Sequence, residues 1–205
     1  MPLLYDAATP APNPRRVRMF LAEKGIVVPT KTLSIAAGEH KAPDFLALYP
    51  PGQLPVLALD DGRMIGESLS ICRYFEALHP ELPLFGNNPI SIAEIDMWIR
   101  RIEMTLMIAI GQVWMHTHPF TARVVTPQYR DFGESNRPKA VAAMRRFDAH
   151  LSEQPFVAGA AFSVADIVLL TTIDFATFIG LPVPDDTPAL SAWHRRISAR
   201  PSAAA

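Results

Sequence analysis

The chain of 205 residues carries a single cysteine, Cys72, so no intrachain disulfide can form and nothing calls for an oxidising compartment. It also lacks a dominant charge: 19 Lys and Arg against 20 Asp and Glu leave a formal net charge of −1. A phosphate-backbone partner needs a basic stripe, so this balance argues against nucleic acid. Long apolar runs are missing too. The longest, around MIAIGQVW, falls far short of the roughly 20 residues that a helix needs to cross a bilayer. The opening MPLLYDAATP has neither the basic start nor the apolar core of a signal peptide, and the expectation is a cytoplasmic protein away from membranes.

What is present is a globular composition, 49% hydrophobic and 19% charged, in a chain long enough for one large domain or two small ones. Its punctuation changes part-way. Up to about residue 80, short β-type runs alternate with helical patterns. LLY reads as a strand. NPRRVRMFLAEKG then reads as a helix with Asn13 as N-cap, Pro14 in first position, Val17, Phe20 and Leu21 on one face, and Gly25 as the stop. IVVPTKTLSI is a second strand and KAPDFLALY a short helical piece. PVLAL and RMI pair across Asp61-Gly62, read as a type I′ turn. ESLSICRYFEALH is a third helix, with Ser68 as its cap.

After the connector PELPLFGNNP at about residues 81–89, everything from residue 90 on reads as helix. Ile95, Trp98, Ile102, Leu106, Ala109 and Val113 recur three or four apart, which predicts one long amphipathic helix ending near His118-Pro119. Met104, Met107 and Met115 fit the same helix, by default as core. PKAVAAMRRFDAHL is another helix. Ser163 with Asp166 three residues on forms a capping-box pair ahead of DIVLLTTIDF. ALSAWHRRISAR closes the helical part, and PSAAA reads as a frayed tail.

The order β-α-β-α-β-β-α with Gln53-Leu54-Pro55 ahead of the third strand resembles a thioredoxin-like domain. The stretches APNPRRVRMFLAEKGI, FLALYPPGQLPVL, DDGRMIGESLSICRYF, FSVADIVL and AWHRRISARPS, in this sequence order, resemble the cytosolic glutathione transferases over essentially the whole chain. The resemblance implies an α/β thioredoxin-like glutathione-binding domain over residues 1–80, a linker over 81–89, and an all-α domain over 90–205 that carries the electrophile site. It implies glutathione as co-substrate, no further cofactor and no metal, and a homodimer, for which Tyr74-Phe75 is a candidate exposed aromatic surface.

The same resemblance assigns roles to residues. Pro55 corresponds to the family's cis-proline, which turns Leu54 toward the tripeptide so that its N–H and C=O pair with the cysteinyl backbone like an added edge strand. Ser68 would bind the γ-glutamyl carboxylate and Glu67 the α-ammonium, at a helix start where free N–H groups and the dipole favour an anion. His40, Lys41 and Gln53 would hold the glycine carboxylate. Each has an ordinary explanation as well: strand punctuation for Pro55, a cap for Ser68, a solvated loop for His40-Lys41.

Activation of the thiol is the open point. A thiol of pKa ~8.5 is a few per cent ionised at neutral pH. Lowering that by about two units needs roughly 2.7 kcal/mol of thiolate stabilisation. A helix dipole supplies ~0.3–1 kcal/mol, occasionally ~2, so a hydrogen-bond donor worth a further ~1.5–3 kcal/mol is expected. The family's usual Tyr, Ser or Cys position falls on Ala11, which cannot donate. The candidates are Asn13 or a neighbouring backbone N–H, then a water held by His116 or His118, then Thr9. Asn13 keeps a glutathione-dependent disulfide reductase or peroxidase in play beside a transferase, and Ala11 keeps a non-catalytic binding module in play. Cys72, set in SLSICRYF, reads as core rather than nucleophile.

Overall fold

A computed structural model describes residues 1–205, which divide into two compact units: Met1–Pro83 with Arg200–Ala205, and Leu84–Ala199. No helix is long and apolar enough to cross a membrane.

The first unit follows the expected order: β1 (Leu3–Asp6), α1 (Pro12–Lys24), β2 (Thr30–Thr32), α2 (Pro43–Leu48), β3 (Val56–Ala58), β4 (Met64–Ile65) and α3 (Ser68–Leu78). The strands form a 4-stranded sheet in the order β2-β1-β3-β4, with β1 parallel to β2 and antiparallel to β3, and β3 antiparallel to β4. Helices α1 and α3 pack together, and Val17, Met19, Phe20, Leu21, Ile71, Cys72 and Phe75 are buried along with Leu4, Val56 and Leu57 of the sheet. Each large apolar side chain so buried contributes about 1.5–3 kcal/mol. An ion pair of 2.7 Å from Lys24 to Glu76 ties α1 to α3. Gly25 ends α1 in the left-handed conformation, as its position in the sequence suggested.

Three local expectations change. The β3–β4 connection is not a two-residue type I′ turn. Leu59 N–H donates to Arg63 C=O at 2.8 Å across three residues, and only Gly62 of these has positive φ (85°), the pattern of a longer turn with a left-handed glycine. Phe75 is core and Tyr74 is half-buried, so the pair offers at most part of one ring to the surface. Residues 200–205 are not frayed: Pro201–Ala204 form a 3₁₀ turn on α1. Arg200 grips Glu23 with two hydrogen bonds of 2.7 Å, Ser202 Oγ also donates to Glu23, and Arg15 donates to Ala203 C=O at 3.0 Å.

The second unit is helical: α4 (Pro89–Arg101), a π-helical segment Ile102–Met107, α5 (Ile108–Thr117), α6 (Arg130–Glu134), α7 (Arg137–Leu151), α8 (Val164–Phe178) and α9 (Pro188–Ser198). The expected long helix spans residues 89–117 and buries Ile95, Ile102, Leu106, Ala109 and Val113, but wider π-type turns interrupt it midway. Met104 is 67% exposed and Met115 41%, so these two are not core.

Helix α8 is apolar almost all round and almost wholly buried, which makes it the centre of this unit. Its start carries the expected capping box. Ser163 N–H donates to Asp166 Oδ2 at 3.0 Å and Ala165 N–H to Ser163 Oγ at 3.3 Å. Asp166 Oδ1 accepts from Val157 N–H at 3.0 Å and Trp193 Nε1–H at 2.9 Å. Burial pushes the Asp166 carboxyl up, while these donors pull it back toward the ionised form.

Candidate functional site

The strand registers bring the marked loops of the first unit to one end of its sheet. Tyr5 lies opposite Val56 and Ile65 opposite Leu57. The chain therefore leaves β1 toward α1, enters β3 from Leu54-Pro55, and leaves β4 toward Glu67-Ser68, all at the same edge. Thr32 of β2, parallel to β1, feeds the segment that holds His40 and Lys41 toward that end as well.

Helix α1 begins one residue earlier than its apparent cap. Ala11 occupies the N-cap position with no side-chain cap, Pro12 is the first helical residue, and Asn13 lies inside the first turn. The reading of Asn13 as N-cap is corrected: Ala-Pro-Asn-Pro offers a proline start on either side of Asn13, and the helix takes the earlier one. The consequence is chemical. Proline has no N–H, so Pro12 and Pro14 remove donors from a turn that normally has several. Asn13 N–H is the backbone donor left between them, and its side-chain amide makes no hydrogen bond within the chain.

The loop ahead of α1 is held by a residue that sequence reasoning missed. Arg18 Nη1 donates to both oxygens of the buried Asp6, at 3.0 and 2.9 Å, and to Ala7 C=O at 2.7 Å. Its Nη2 donates to Thr9 Oγ1 at 3.2 Å, which leaves the Thr9 proton free to donate elsewhere. An Asp and an Arg flanking a loop, twelve residues apart, were the only available sign.

At the second loop the Leu54-Pro55 peptide is cis, and neither Leu54 N–H nor its C=O bonds to another backbone group. The Leu54 side chain packs on Leu33, Phe45 and Val56 beside Tyr5 and Tyr49. Gln53 is exposed. Lys41 Nζ donates to Pro51 C=O at 3.1 Å, and a methyl group on Gly52 would come within 2.8 Å of His40 C=O, so the two loops are in close contact.

At the third, Glu67 rather than Ser68 is the N-cap of α3, and no side chain caps the helix. Ser68 is the first helical residue, so its reading as the cap is also corrected. It is buried, with no hydrogen bond to its hydroxyl from the rest of the chain. Glu67 sits at φ 62° and ψ 120°, a sparsely populated conformation for a residue with a side chain, and such strain gathers at functional turns.

Two family models match this chain: the glutathione S-transferase N-terminal domain over residues 11–78 and the C-terminal domain over residues 113–201. Glutathione S-transferase 2 of Saccharomyces cerevisiae is 39% identical over 98% of this chain and 87% of its own length. The chain is a member of the glutathione S-transferase family. The crystal structure of Gtt2 from S. cerevisiae superposes with a TM-score of 0.90 at 37% identity, covering 98% of this chain and 97% of that one. A glutathione S-transferase domain-containing protein from Marinobacter aquaeolei gives 0.91 at 36% identity, with 98% of both chains covered.

This glutathione S-transferase carries His116 and His118 in its helical unit, and both rings are oriented by the backbone. His116 Nδ1 accepts from Tyr129 N–H at 3.2 Å and His118 Nδ1 from Phe120 N–H at 3.1 Å. In each neutral ring the proton therefore sits on Nε2, which makes both histidines donors at their outer nitrogen rather than bases. Gly133 lets α6 approach this place: a methyl there would meet Thr117 Cγ2 at 2.6 Å and His116 Cβ at 2.9 Å. Gln128 Nε2 fixes the intervening loop through Met115 C=O, His118 C=O and Thr121 Oγ1. An open cavity of about 620 Å³ is lined by Gln128–Phe132, next to His116. Cys72 is fully buried and its thiol is pushed well above the usual range by that burial, in keeping with a core role.

Proposed function

We propose that this enzyme activates the thiol of glutathione for attack on hydrophobic electrophiles. The observation that carries the reading is the uncapped start of α3, with Glu67 held at positive φ and the Ser68 hydroxyl uncommitted, on the same sheet end as the unpaired backbone of Leu54. In this reading Ser68 donates to the γ-glutamyl carboxylate and Glu67 receives the α-ammonium. Leu54 pairs with the cysteinyl backbone beside Pro55, and His40, Lys41 and Gln53 hold the glycine carboxylate.

For the thiolate, Asn13 leads. Its N–H and side-chain amide are uncommitted, and the helix dipole reinforces both. A water held by the Nε2–H of His116 or His118 comes second. Thr9 comes third, its hydroxyl already serving Arg18 as acceptor. Residues 1–80 carry glutathione binding in this proposal, 81–89 link, and 90–205, apart from the tail 200–205 that folds onto α1, carry the electrophile site, for which the cavity at Gln128–Phe132 is a candidate. The enzyme works as a homodimer, a reading that rests on the family resemblance, and in the cytoplasm, in keeping with its single cysteine.

The uncommitted Asn13 amide also favours a second reading, a glutathione-dependent disulfide reductase or peroxidase. Assay with glutathione against a chloronitroarene, and separately against a mixed disulfide, distinguishes the two. Activity in neither assay despite glutathione binding leaves the non-catalytic module. The donor is found from the pKa of bound glutathione, read by thiolate absorbance, in Asn13→Ala, Thr9→Val, His116→Ala and His118→Ala. A rise of about one unit, equivalent to ~1.4 kcal/mol of lost stabilisation, identifies it.

A further inference from the structure

We propose that Tyr49 is a positioning residue for glutathione binding, a spacer whose hydroxyl sets the Gly66-Glu67-Ser68 turn against the loop that carries Leu54. The proposal rests on the glutathione reading of Leu54, Glu67 and Ser68. Tyr49 stands where α2 ends, and its backbone is bolted at both polar groups. Its N–H donates to Phe45 C=O at 2.8 Å, and its C=O accepts from Gly52 N–H at 2.9 Å, which closes the turn into Gln53-Leu54. The side chain packs on Leu33, Phe45 and Val56 next to Leu54. The phenol then reaches the other glutathione-facing stretch: a methyl group on Gly66 would overlap the Tyr49 hydroxyl outright and come within 3.1 Å of its Cζ. One side chain thus touches both segments.

The need for glycine at position 66 follows from this contact and not from the backbone. Gly66 does not lie in the left-handed region, unlike Gly52 and Gly62, so alanine is conformationally allowed there. What excludes a Cβ is the tyrosine oxygen. That oxygen makes no hydrogen bond within the chain, so no polar partner explains its place. The next residue is Glu67 at φ 62°, and a conformation of that kind persists only where its surroundings over-determine it. The phenol wedged on Gly66 is such a surrounding, and it fixes where Glu67 and Ser68 stand relative to Leu54.

A swap of the two contact partners tests this. Glutathione binding is measured by calorimetry, with KM and kcat, for the parent, Tyr49→Leu, Gly66→Ala, and the Tyr49→Phe/Gly66→Ala double variant. Gly66→Ala should weaken binding by about tenfold or more through overpacking, and the double variant, lacking the oxygen, should recover most of it. Tyr49→Leu should raise KM for glutathione by about fivefold, with little change in kcat, because the turn loses its stop rather than its chemistry. If Gly66→Ala does not fold, recovery of a cooperative thermal transition in the double variant reports the same rescue. Parent-like affinity in Gly66→Ala, or a double variant no tighter than Gly66→Ala, overturns the spacer while leaving the glutathione site standing. A parent that binds no glutathione removes the site and the spacer with it.

Discussion

Two helix starts in this molecule are built in opposite ways. At α8 the chain satisfies itself: Ser163 and Asp166 cap each other, and Asp166 also takes the N–H of Val157 and the indole N–H of Trp193. At α3 nothing caps, the N-cap residue is strained, and the first helical side chain keeps its hydroxyl uncommitted. A helix start leaves several backbone N–H groups without helical partners, and these go to the chain, to water or to a ligand. The saturated start holds a fold together. The open one is available to an anion.

The largest effect should come from breaking the saturated start. Asp166→Ala leaves the buried donors of Val157, Ser163 and Trp193 without their acceptor, and should cost about 3 kcal/mol or more in urea unfolding. Glutathione affinity of the folded fraction should be unchanged. The mirror experiment is Ser68→Ala at the open start. Glutathione binding should weaken by ~1–3 kcal/mol, because a charged carboxylate loses a donor, while the thermal midpoint stays with the parent. A Ser68 variant that loses stability but not affinity would collapse the contrast between the two starts. Smaller again is Ser163→Ala, expected to cost ~0.5–2 kcal/mol of stability, since Asp166 keeps its other donors. Denaturation midpoints matching the parent would remove the capping role.

The saturated start was legible in the sequence because its parts are local: Ser163 and Asp166 are three residues apart, ahead of an apolar run. The element order of the first unit was legible for the same reason, from short runs bounded by Gly and Pro. Where local signals compete, the reading slipped. Both Pro12 and Pro14 can open α1, and only the packed structure chooses Pro12. Contacts between distant residues left no trace to read. The Arg18 clamp on Asp6 and Thr9, the Tyr49 hydroxyl over Gly66, and the grip of Arg200 on Glu23 each join segments whose proximity depends on the finished fold. The π-type turns within residues 102–107 are likewise invisible to a periodicity that tolerates one extra residue per turn.

Helix α1 combines both designs, with an open start at Ala11-Pro12 and a side clasped by the chain's last residues, and its clasp gives the smallest effect. Burial resists ionisation of Glu23, but the hydrogen bonds from Arg200 and Ser202 and the Arg200 charge outweigh it, so the carboxyl titrates below its ordinary value of 4.5. A carboxyl with a lowered folded pKa binds fewer protons folded than unfolded at mildly acidic pH. Its stabilisation is therefore complete above the ordinary value and is lost as pH falls through the lowered one. Glu23→Gln should cost on the order of 1 kcal/mol or less at neutral pH, because the pair is partly exposed. The gap between parent and variant should then narrow between neutral pH and an acidic pH below the lowered value, as the parent carboxyl takes up its proton. Urea unfolding of both proteins at the two pH values checks this. A gap that stays constant would mean that the clasp works by packing of Ser202 and Ala203 on α1 rather than by charge. The tail would then hold α1 as an apolar contact does.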